Sequence, residues 1–325
     1  MNLFLKAACA LSFAAIASSA MAADKLVVAE PNHSFGYLPL YIAINEGYFA
    51  KHGLDVSMRT MGSGAGSTNA VLSGQAFGFI GGPEHDAFVK LKGGEMRAVV
   101  NVVDRGNVYL VAKKGQEPKP GQNLADYFKG KTFAISAYGS TPNSIARYII
   151  VKSGLKLDQV KLKEMSYEGI VATLKVGQAQ IGIIQEPLLQ KGKTEGIWGE
   201  PFYNVPKELG HYAYSVINIR EATIKEHPDQ VKNFVLALVE GLKDIYAHPD
   251  KALQIARKEF PTMSQDDLKV TFDRGLKDKI WSEDGVISQD GWKTAQSVTM
   301  QAGVLKKKVP FDSIIDMQFV PAAKK

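Results

Sequence analysis

Cysteine is nearly missing from this chain of 325 residues, because Cys9 is its only one. It lies in an N-terminal apolar segment that we expect to be removed, and with Lys6 three residues before it the local sequence does not resemble a lipid-attachment motif. The mature chain then has no thiol, which excludes disulfides and thiolate metal sites. Runs of 18 or more apolar residues are also missing, so the sequence predicts no membrane-spanning helix.

Sequence patterns of known catalytic sites are absent too. The chain has no nucleophile elbow, zinc-protease motif, Walker loop or dinucleotide fingerprint. No metal-ligand spacing on one helix face occurs among the six histidines, which are His33, His52, His85, His211, His227 and His248. We therefore predict no catalytic residue, no metal site and no cofactor.

The charge balance is only mildly basic. Without Lys6 the chain has 38 basic and 33 acidic residues, a formal net charge of +5. The longest basic run is residues 306–308, and no basic stripe with interleaved aromatic residues occurs. A solvated face is the better interpretation of such short runs, so we predict no nucleic-acid partner.

Residues 1–22 have the pattern of a secretory signal peptide. One cation, Lys6, precedes an apolar run at residues 7–17, and the segment ends in the small-x-small sequence of residues 20–22. The apolar run is too short to cross a bilayer. We therefore expect a secreted, soluble mature chain that begins at Ala23.

Strands and helices alternate through most of the mature chain. Strands are predicted at 26–29, 54–58, 77–80, 97–103, 109–112, 132–136, 160–164, 181–184 and 212–218, and this order predicts parallel sheets with helices on both faces. Helices are predicted at 227–248, 251–259, 265–278 and 289–302 from their apolar spacing. The polar segment KKGQEPKPGQ at residues 113–122 indicates a break between two lobes.

Two loops rich in glycine and serine are candidate binding elements. After the second predicted strand, residues 62–68 read GSGAGST, in which Gly64 and Gly66 let backbone N–H groups approach a ligand and Ser67 offers a hydroxyl. Residues 136–143 read SAYGSTPN, where Ser140 and Thr141 can do the same. Simple helix capping explains both loops without any ligand.

Three further features belong to the candidate site. Tyr138 at the tip of a glycine turn would be costly to hydrate unless it covers something. Glu84 in the segment GGPEH and Glu186 in the segment IQEP follow strand ends, where they either stabilise a helix start or bind the amine of a solute. His33 is interpreted as a solvent-facing loop residue, with ligand contact as the alternative.

The segment GYLPLYIA at residues 36–43, followed by NEGYF at 45–49 and GLDV at 53–56, resembles the opening of the ABC-transporter solute-binding proteins of the nitrate, sulfonate and taurine group, the SsuA/ThiY-like family. Further matching segments are GQAFG at 74–78, LKVGQA at 174–179, the triplet at 185–187, HP at 227–228 and WSEDG at 281–285. Together they span most of the mature chain. For the opening segment taken alone, an ordinary turn with a core tyrosine pair is the alternative.

This resemblance implies an α/β, two-lobed type II periplasmic-binding-protein fold, with a doubly wound sheet in each lobe and a helical C-terminal tail. It divides the chain into the signal peptide at 1–22, the first part of lobe 1 at 23–110, lobe 2 at 111–214, and the completion of lobe 1 at 215–325. The family's cleft loops fall on Phe35, Tyr37, Pro39, Gly64, Gly66, Ser67, Gly82, Glu84, Tyr138, Ser140, Thr141, Gln185 and Glu186.

The function that the resemblance implies is capture of a small polar or anionic organic solute by cleft closure. The partners would be this solute, an inner-membrane ABC permease and its ATPase subunit, and the protein would be a periplasmic monomer. The alternatives are a pyrimidine or aromatic carboxylate solute, or an enzyme of pyrimidine-precursor synthesis. The consecutive cysteines of the pyrimidine-synthesising relatives are missing, which argues against the enzyme. The loops also contain no arginine that would indicate a sulfonate as the solute.

Overall fold

The computed structural model describes residues 23–321, so the predicted signal peptide lies outside the described residues. Ten strands form two five-stranded sheets. The strands are β1 (Asp24–Glu30), β2 (Leu54–Thr60), β3 (Gly78–Gly81), β4 (Met96–Arg105), β5 (Tyr109–Ala112), β6 (Thr132–Ile135), β7 (Lys161–Glu164), β8 (Ile181–Ile184), β9 (Tyr203–Asn204) and β10 (His211–Arg220). Sheet 1 has the order β2-β1-β3-β10-β4, and sheet 2 has the order β7-β6-β8-β5-β9.

Both sheets are mixed, which corrects the prediction of parallel sheets. In sheet 1, β10 runs antiparallel to β3 and to β4, whereas β1 is parallel to β2 and β3. In sheet 2, β5 runs antiparallel to β8 and to β9, whereas β6 is parallel to β7 and β8. The reversed strand in each sheet is the one that the chain enters on arriving from the other sheet.

Fourteen α-helices occur among the described residues, and the last four begin and end within two residues of their predicted bounds. They are α1 (Leu38–Asn45), α2 (Tyr48–Lys51), α3 (Gly64–Leu72), α4 (Glu84–Leu91), α5 (Leu124–Phe128), α6 (Thr141–Lys152), α7 (Tyr167–Lys175), α8 (Leu188–Thr194), α9 (Val205–Leu209), α10 (Glu221–Glu226), α11 (Pro228–Ala247), α12 (Pro249–Glu259), α13 (Gln265–Lys277) and α14 (Gln289–Gln301). The two-lobed α/β fold with a helical C-terminal region is therefore confirmed. Within residues 23–321 no helix combines the length and the apolar character needed to cross a membrane.

The chain passes between the sheets at residues 106–108 and again through α9 at 205–209. The predicted lobe boundaries at 110 and 214 fall inside β5 and β10, because each of these strands belongs wholly to the sheet that it enters.

Helix α13 also joins the lobes through side-chain contacts. Asp267 accepts hydrogen bonds from two side chains of α8, and Asp278, just after α13, accepts one from Tyr109 of β5 at 2.8 Å. The next segment returns to lobe 1, where the Trp281 indole donates to the carbonyl of Gly36 at 3.0 Å. Helix α13 is therefore held by both lobes, because its polar side chains bind lobe 2, whereas Phe272 packs against Trp281 with ring centroids 5.8 Å apart.

Tight packing in lobe 2 is concentrated where α8 passes the buried ring of Trp198. The indole donates to the carbonyl of Leu189 at 2.9 Å. Gly192 of α8 faces the ring so closely that a Cβ there would lie 1.9 Å from its nearest atom. Only glycine leaves room for the indole in this position.

We expect Gly192→Ala to destabilise the protein by about 1–3 kcal/mol in urea unfolding, because overpacking outweighs the ~1 kcal/mol that alanine gains in a helix. Gly199→Ala is the matched control, since its Cβ would find no atom closer than 3.6 Å. Equal stability of the two variants would contradict this account of the packing.

Candidate functional site

A cavity of about 870 Å³ lies between the two lobes, at the carboxyl ends of the parallel strands. Lobe 1 contributes residues that follow β1 and β2 and two side chains of α4, lobe 2 contributes residues that follow β6, β7 and β8, and the segment after α12 completes the wall. Such an edge is where open α/β sheets bind ligands, and the volume suits a small organic molecule.

Five of the predicted site residues lie on the cavity wall: Gly64, Tyr138, Ser140, Gln185 and Glu186. Tyr138 is 56% exposed, and its ring lies over the Arg147 guanidinium at 5.0 Å. Ser140 caps α6 and donates to the carbonyl of Ala137 at 2.8 Å. Solute contact by these residues stays a prediction.

The first predicted cleft loop is instead part of the lobe 1 core. Phe35 is fully buried against Phe260 and Trp281, with ring centroids 5.3 and 6.2 Å away. Tyr37 is buried beside it, and Pro39 lies in the first turn of α1. These three residues do not line the cavity, because their apolar surface is used in core packing.

Five other predicted residues are also off the wall: Gly66, Ser67, Gly82, Glu84 and Thr141. Gly66 and Ser67 form the first turn of α3, where Ser67 donates to the carbonyl of Ser63 at 3.0 Å. Gly82 leaves room for the Glu84 carboxylate, which a Cβ would meet at 2.1 Å. Capping and packing therefore explain these positions.

Glu84 and Thr141 form a direct contact between the lobes. The Thr141 hydroxyl of α6 donates to Glu84 Oε1 of α4 at 2.5 Å, and both residues are buried. Glu84 Oε2 has no partner among the described residues. Burial raises the pKa of Glu84 to about 7, because the Thr141 hydrogen bond compensates only part of the lost hydration.

Glu186 lies on the cavity wall, and its carboxylate already has partners within the protein. Its Oε1 accepts from the Arg274 guanidinium of α13, and its Oε2 accepts from the backbone N–H of Gln190 at 2.9 Å. Burial raises the pKa of Glu186, and the Arg274 charge opposes this rise. Glu186 therefore joins lobe 2 to α13, and its charge is balanced before any solute arrives.

His33 lies on the wall, and its side chain is 37% exposed, so it also faces solvent as the sequence predicts. Its ring stacks on Tyr41 and also contacts Phe260, with both centroids 4.7 Å away. Burial alone would lower the pKa of His33, but contacts with Glu30 and Glu259 outweigh it and raise the pKa. The ring nitrogens lie 3.3 Å from Glu30 Oε1 and 3.1 Å from the Glu259 carbonyl, so both are partnered.

His85 is a wall residue that the sequence pattern did not single out. In the segment GGPEH the sequence pattern indicates Glu84, because of its charge. The side chain of the next residue on α4, His85, reaches the cavity instead. The imidazole packs edge-on against Phe79 and Phe88, with centroids 5.4 and 5.7 Å away. Burial lowers the pKa of His85 to about 4, so the ring is neutral near pH 7.

The rest of the wall is mostly aromatic or apolar, and its charged groups are acidic. Phe88, Tyr138, Tyr167, Phe260 and Met165 contribute large side chains. The carboxylates are Glu168, Glu186 and Glu259, and within residues 23–321 neither lysine nor arginine lines the cavity. The same residues contain no cluster of three or more side chains that could hold a metal ion.

Backbone donors come from the start of α3. Ser63 caps this helix and accepts from the N–H of Gly66 at 3.0 Å. The N–H groups of Gly64 and Ala65 precede any possible intrahelical acceptor, and both residues lie on the wall. They give the cavity two hydrogen-bond donors without a full charge.

Comparison with known proteins places this geometry in a family context. The model of the family described as NMT1/THI5 like matches residues 34–252. The YtlA protein of Bacillus subtilis is 24% identical over 301 residues, which cover 90% of this chain and 88% of YtlA. The riboflavin-binding protein RibY of Chloroflexus aurantiacus is 23% identical over 304 residues, covering 90% and 84%.

Solved structures share the fold over nearly the whole chain. The alkanesulfonate-binding protein SsuA from Xanthomonas axonopodis pv. citri, bound to MOPS, aligns with a TM-score of 0.73 at 14% identity, covering 90% of this chain and 98% of SsuA. The desulfurization enzyme DSZB aligns with a TM-score of 0.65 at 13% identity, covering 91% and 97%. At such low identity these alignments show the shared fold alone.

The Glu84 carboxyl predicts a pH-dependent stability. Its pKa is about 7 in the folded protein and about 4.5 as a free side chain, so the folded state binds the proton more tightly. This stabilisation is fully present below pH 4.5 and is lost as the pH rises to about 7. The total is roughly 3 kcal/mol.

Glu84→Gln keeps the shape and the Thr141 contact but cannot ionise, so its free energy of unfolding should fall less between pH 5 and 8, measured by urea denaturation at about four pH values. Asp86 still titrates in the variant, since burial raises its pKa, but the part of its shift that the Glu84 charge causes is lost. The exposed Glu226→Gln is the control. If the variant keeps the wild-type pH profile of stability, a group other than Glu84 causes the pH dependence.

Proposed function

The chain belongs to the NMT1/THI5-like family, and from this premise we propose that it is the solute-binding component of an ABC importer. Membership is supported by a match over about two thirds of the chain. The proposal follows the relatives named as binding proteins.

The observation that carries the proposal is the position of the cavity. Its wall is divided between two lobes that are joined by two chain crossings, so a bound solute contacts both lobes at once. A solute that binds both lobes favours the closed arrangement by its extra contacts, and a permease can then distinguish loaded from empty protein. This mechanism needs no chemical step.

The wall favours a flat, neutral ring compound over a sulfonate. A sulfonate would meet three carboxylates and find no lysine or arginine on the wall formed by the described residues. Aromatic side chains from both lobes, Phe88 of lobe 1 and Tyr138 and Tyr167 of lobe 2, offer faces for a ring. We therefore favour the pyrimidine-like alternative over the taurine and nitrate class.

A small organic anion is the second candidate. It is favoured by one specific feature, the free N–H groups at the start of α3, which attract negative charge. The partners of either solute class would be an inner-membrane permease and its ATPase subunit, and the protein would act in the periplasm as a monomer.

The enzyme alternative rests on the fold shared with DSZB. The binding proposal requires that solute is recovered unchanged after incubation with the purified protein. Mass spectrometry of solute released from protein purified from its native host should show a ring compound. Release of a sulfonate would overturn the ring preference, and conversion of the solute would overturn the binding proposal.

Tyr138 should act as an anchor through its ring. We expect Tyr138→Ala to weaken binding of the released solute by about 1–3 kcal/mol in calorimetric titration, since a well-packed aromatic contact is lost. Tyr138→Phe is the matched control and should bind nearly as well as the wild type, because the ring face is retained. Equal affinity of the alanine variant would show that Tyr138 does not cover the solute.

A further inference from the structure

The hydrogen-bond direction at His85 follows from its neighbour Thr68. The Thr68 hydroxyl lies 2.8 Å from the carbonyl of Gly64 and 3.3 Å from His85 Nδ1. A carbonyl oxygen only accepts, so the single hydroxyl hydrogen is used in the shorter contact. The contact with the imidazole then requires a hydrogen on Nδ1.

A neutral imidazole with its hydrogen on Nδ1 leaves Nε2 as a lone-pair acceptor. His85 is 7% exposed, and this small exposed part belongs to the cavity wall. Nε2 makes no hydrogen bond with any described residue. The low pKa supports the same state, because burial without a nearby carboxylate disfavours the imidazolium.

Gly64 fixes the place of this acceptor. A Cβ at Gly64 would lie 2.6 Å from both Nε2 and Cε1 of His85, so the ring lies directly against the start of α3. The free N–H groups of Gly64 and Ala65 are at the same corner of the wall. One backbone donor edge and one imidazole acceptor therefore stand side by side.

The geometry points to His85 as the specificity-determining residue for a solute that presents an N–H group next to a carbonyl oxygen, as in a lactam or ureide edge. The solute N–H donates to His85 Nε2, and its carbonyl accepts from the start of α3. A sulfonate or carboxylate offers no hydrogen to this acceptor, so the pair selects against simple anions. This inference rests on the proposed function and names the edge of the ring that lobe 1 recognises.

The first test reads the imidazole directly and needs no solute. Long-range nitrogen–proton NMR spectra of protein labelled with 15N-histidine, assigned with His85→Phe, should show a neutral ring with its hydrogen on Nδ1 at pH about 7. A hydrogen on Nε2, or a charged ring, would overturn the inference.

The second test uses two matched rings in calorimetric titration. Uracil carries the N–H and carbonyl edge, whereas 1,3-dimethyluracil keeps the ring and both carbonyls but has no N–H group. We expect uracil to bind about tenfold tighter or more, and His85→Phe to remove this preference while keeping the contacts with Phe79 and Phe88. Gly64→Ala, which displaces the imidazole, should reduce the same ratio if His85→Phe does not fold.

His33→Gln is the control for a wall histidine whose nitrogens are already partnered, and it should leave the ratio of the two affinities unchanged. Equal binding of the two rings by the wild type would overturn the role of His85 and leave the ring proposal standing. Binding of neither ring, or tighter binding of taurine than of uracil, would overturn both. Unchanged solute recovered from the native protein would still support the transport function.

Discussion

Strand β4 leaves sheet 1 at its carboxyl edge, and β5 enters sheet 2 at the carboxyl edge of that sheet. The same holds on the way back, from β9 through α9 into β10. Each strand that enters a sheet must therefore run antiparallel to its neighbours, and the two carboxyl edges must face each other. Every loop that lines the cavity, and every helix start that points at it, depends on these two reversals.

Electrostatics inside the cavity depend on pairings made before any solute binds. Glu186 is balanced by Arg274, and His33 lies between Glu30 and Glu259, so two of the three wall carboxylates, Glu186 and Glu259, have partners within the protein. His85 is kept neutral by burial. The wall therefore offers directed hydrogen bonds and aromatic faces, which suits recognition by shape and hydrogen-bond pattern better than recognition by charge.

Much of the fold could be predicted from the sequence. Periodic apolar spacing predicts helices such as α11, and the alternating order of predicted strands and helices, interrupted by a polar segment, predicts two α/β lobes. The reversed strands could not, since strand direction is set by tertiary connection and leaves no local signal. The loop pattern placed Tyr138 on the cavity wall, whereas its contact with a solute stays a prediction. The pattern did not reveal that Phe35 is packed in the core, nor that His85 and not Glu84 reaches the cavity, because one step along a helix decides which side chain does so.

The attachment of α13 has a mechanical consequence. This helix is held by both lobes, because Asp267 binds side chains of α8, whereas Phe272 packs against Trp281, which is fixed to lobe 1. If the lobes separate, either α13 travels with lobe 2 and the short segments at its ends flex, or its polar contacts break one after another. Separation of the lobes would therefore break contacts of α13 as well as the Glu84–Thr141 hydrogen bond, so residues that do not line the cavity contribute to the energy of opening.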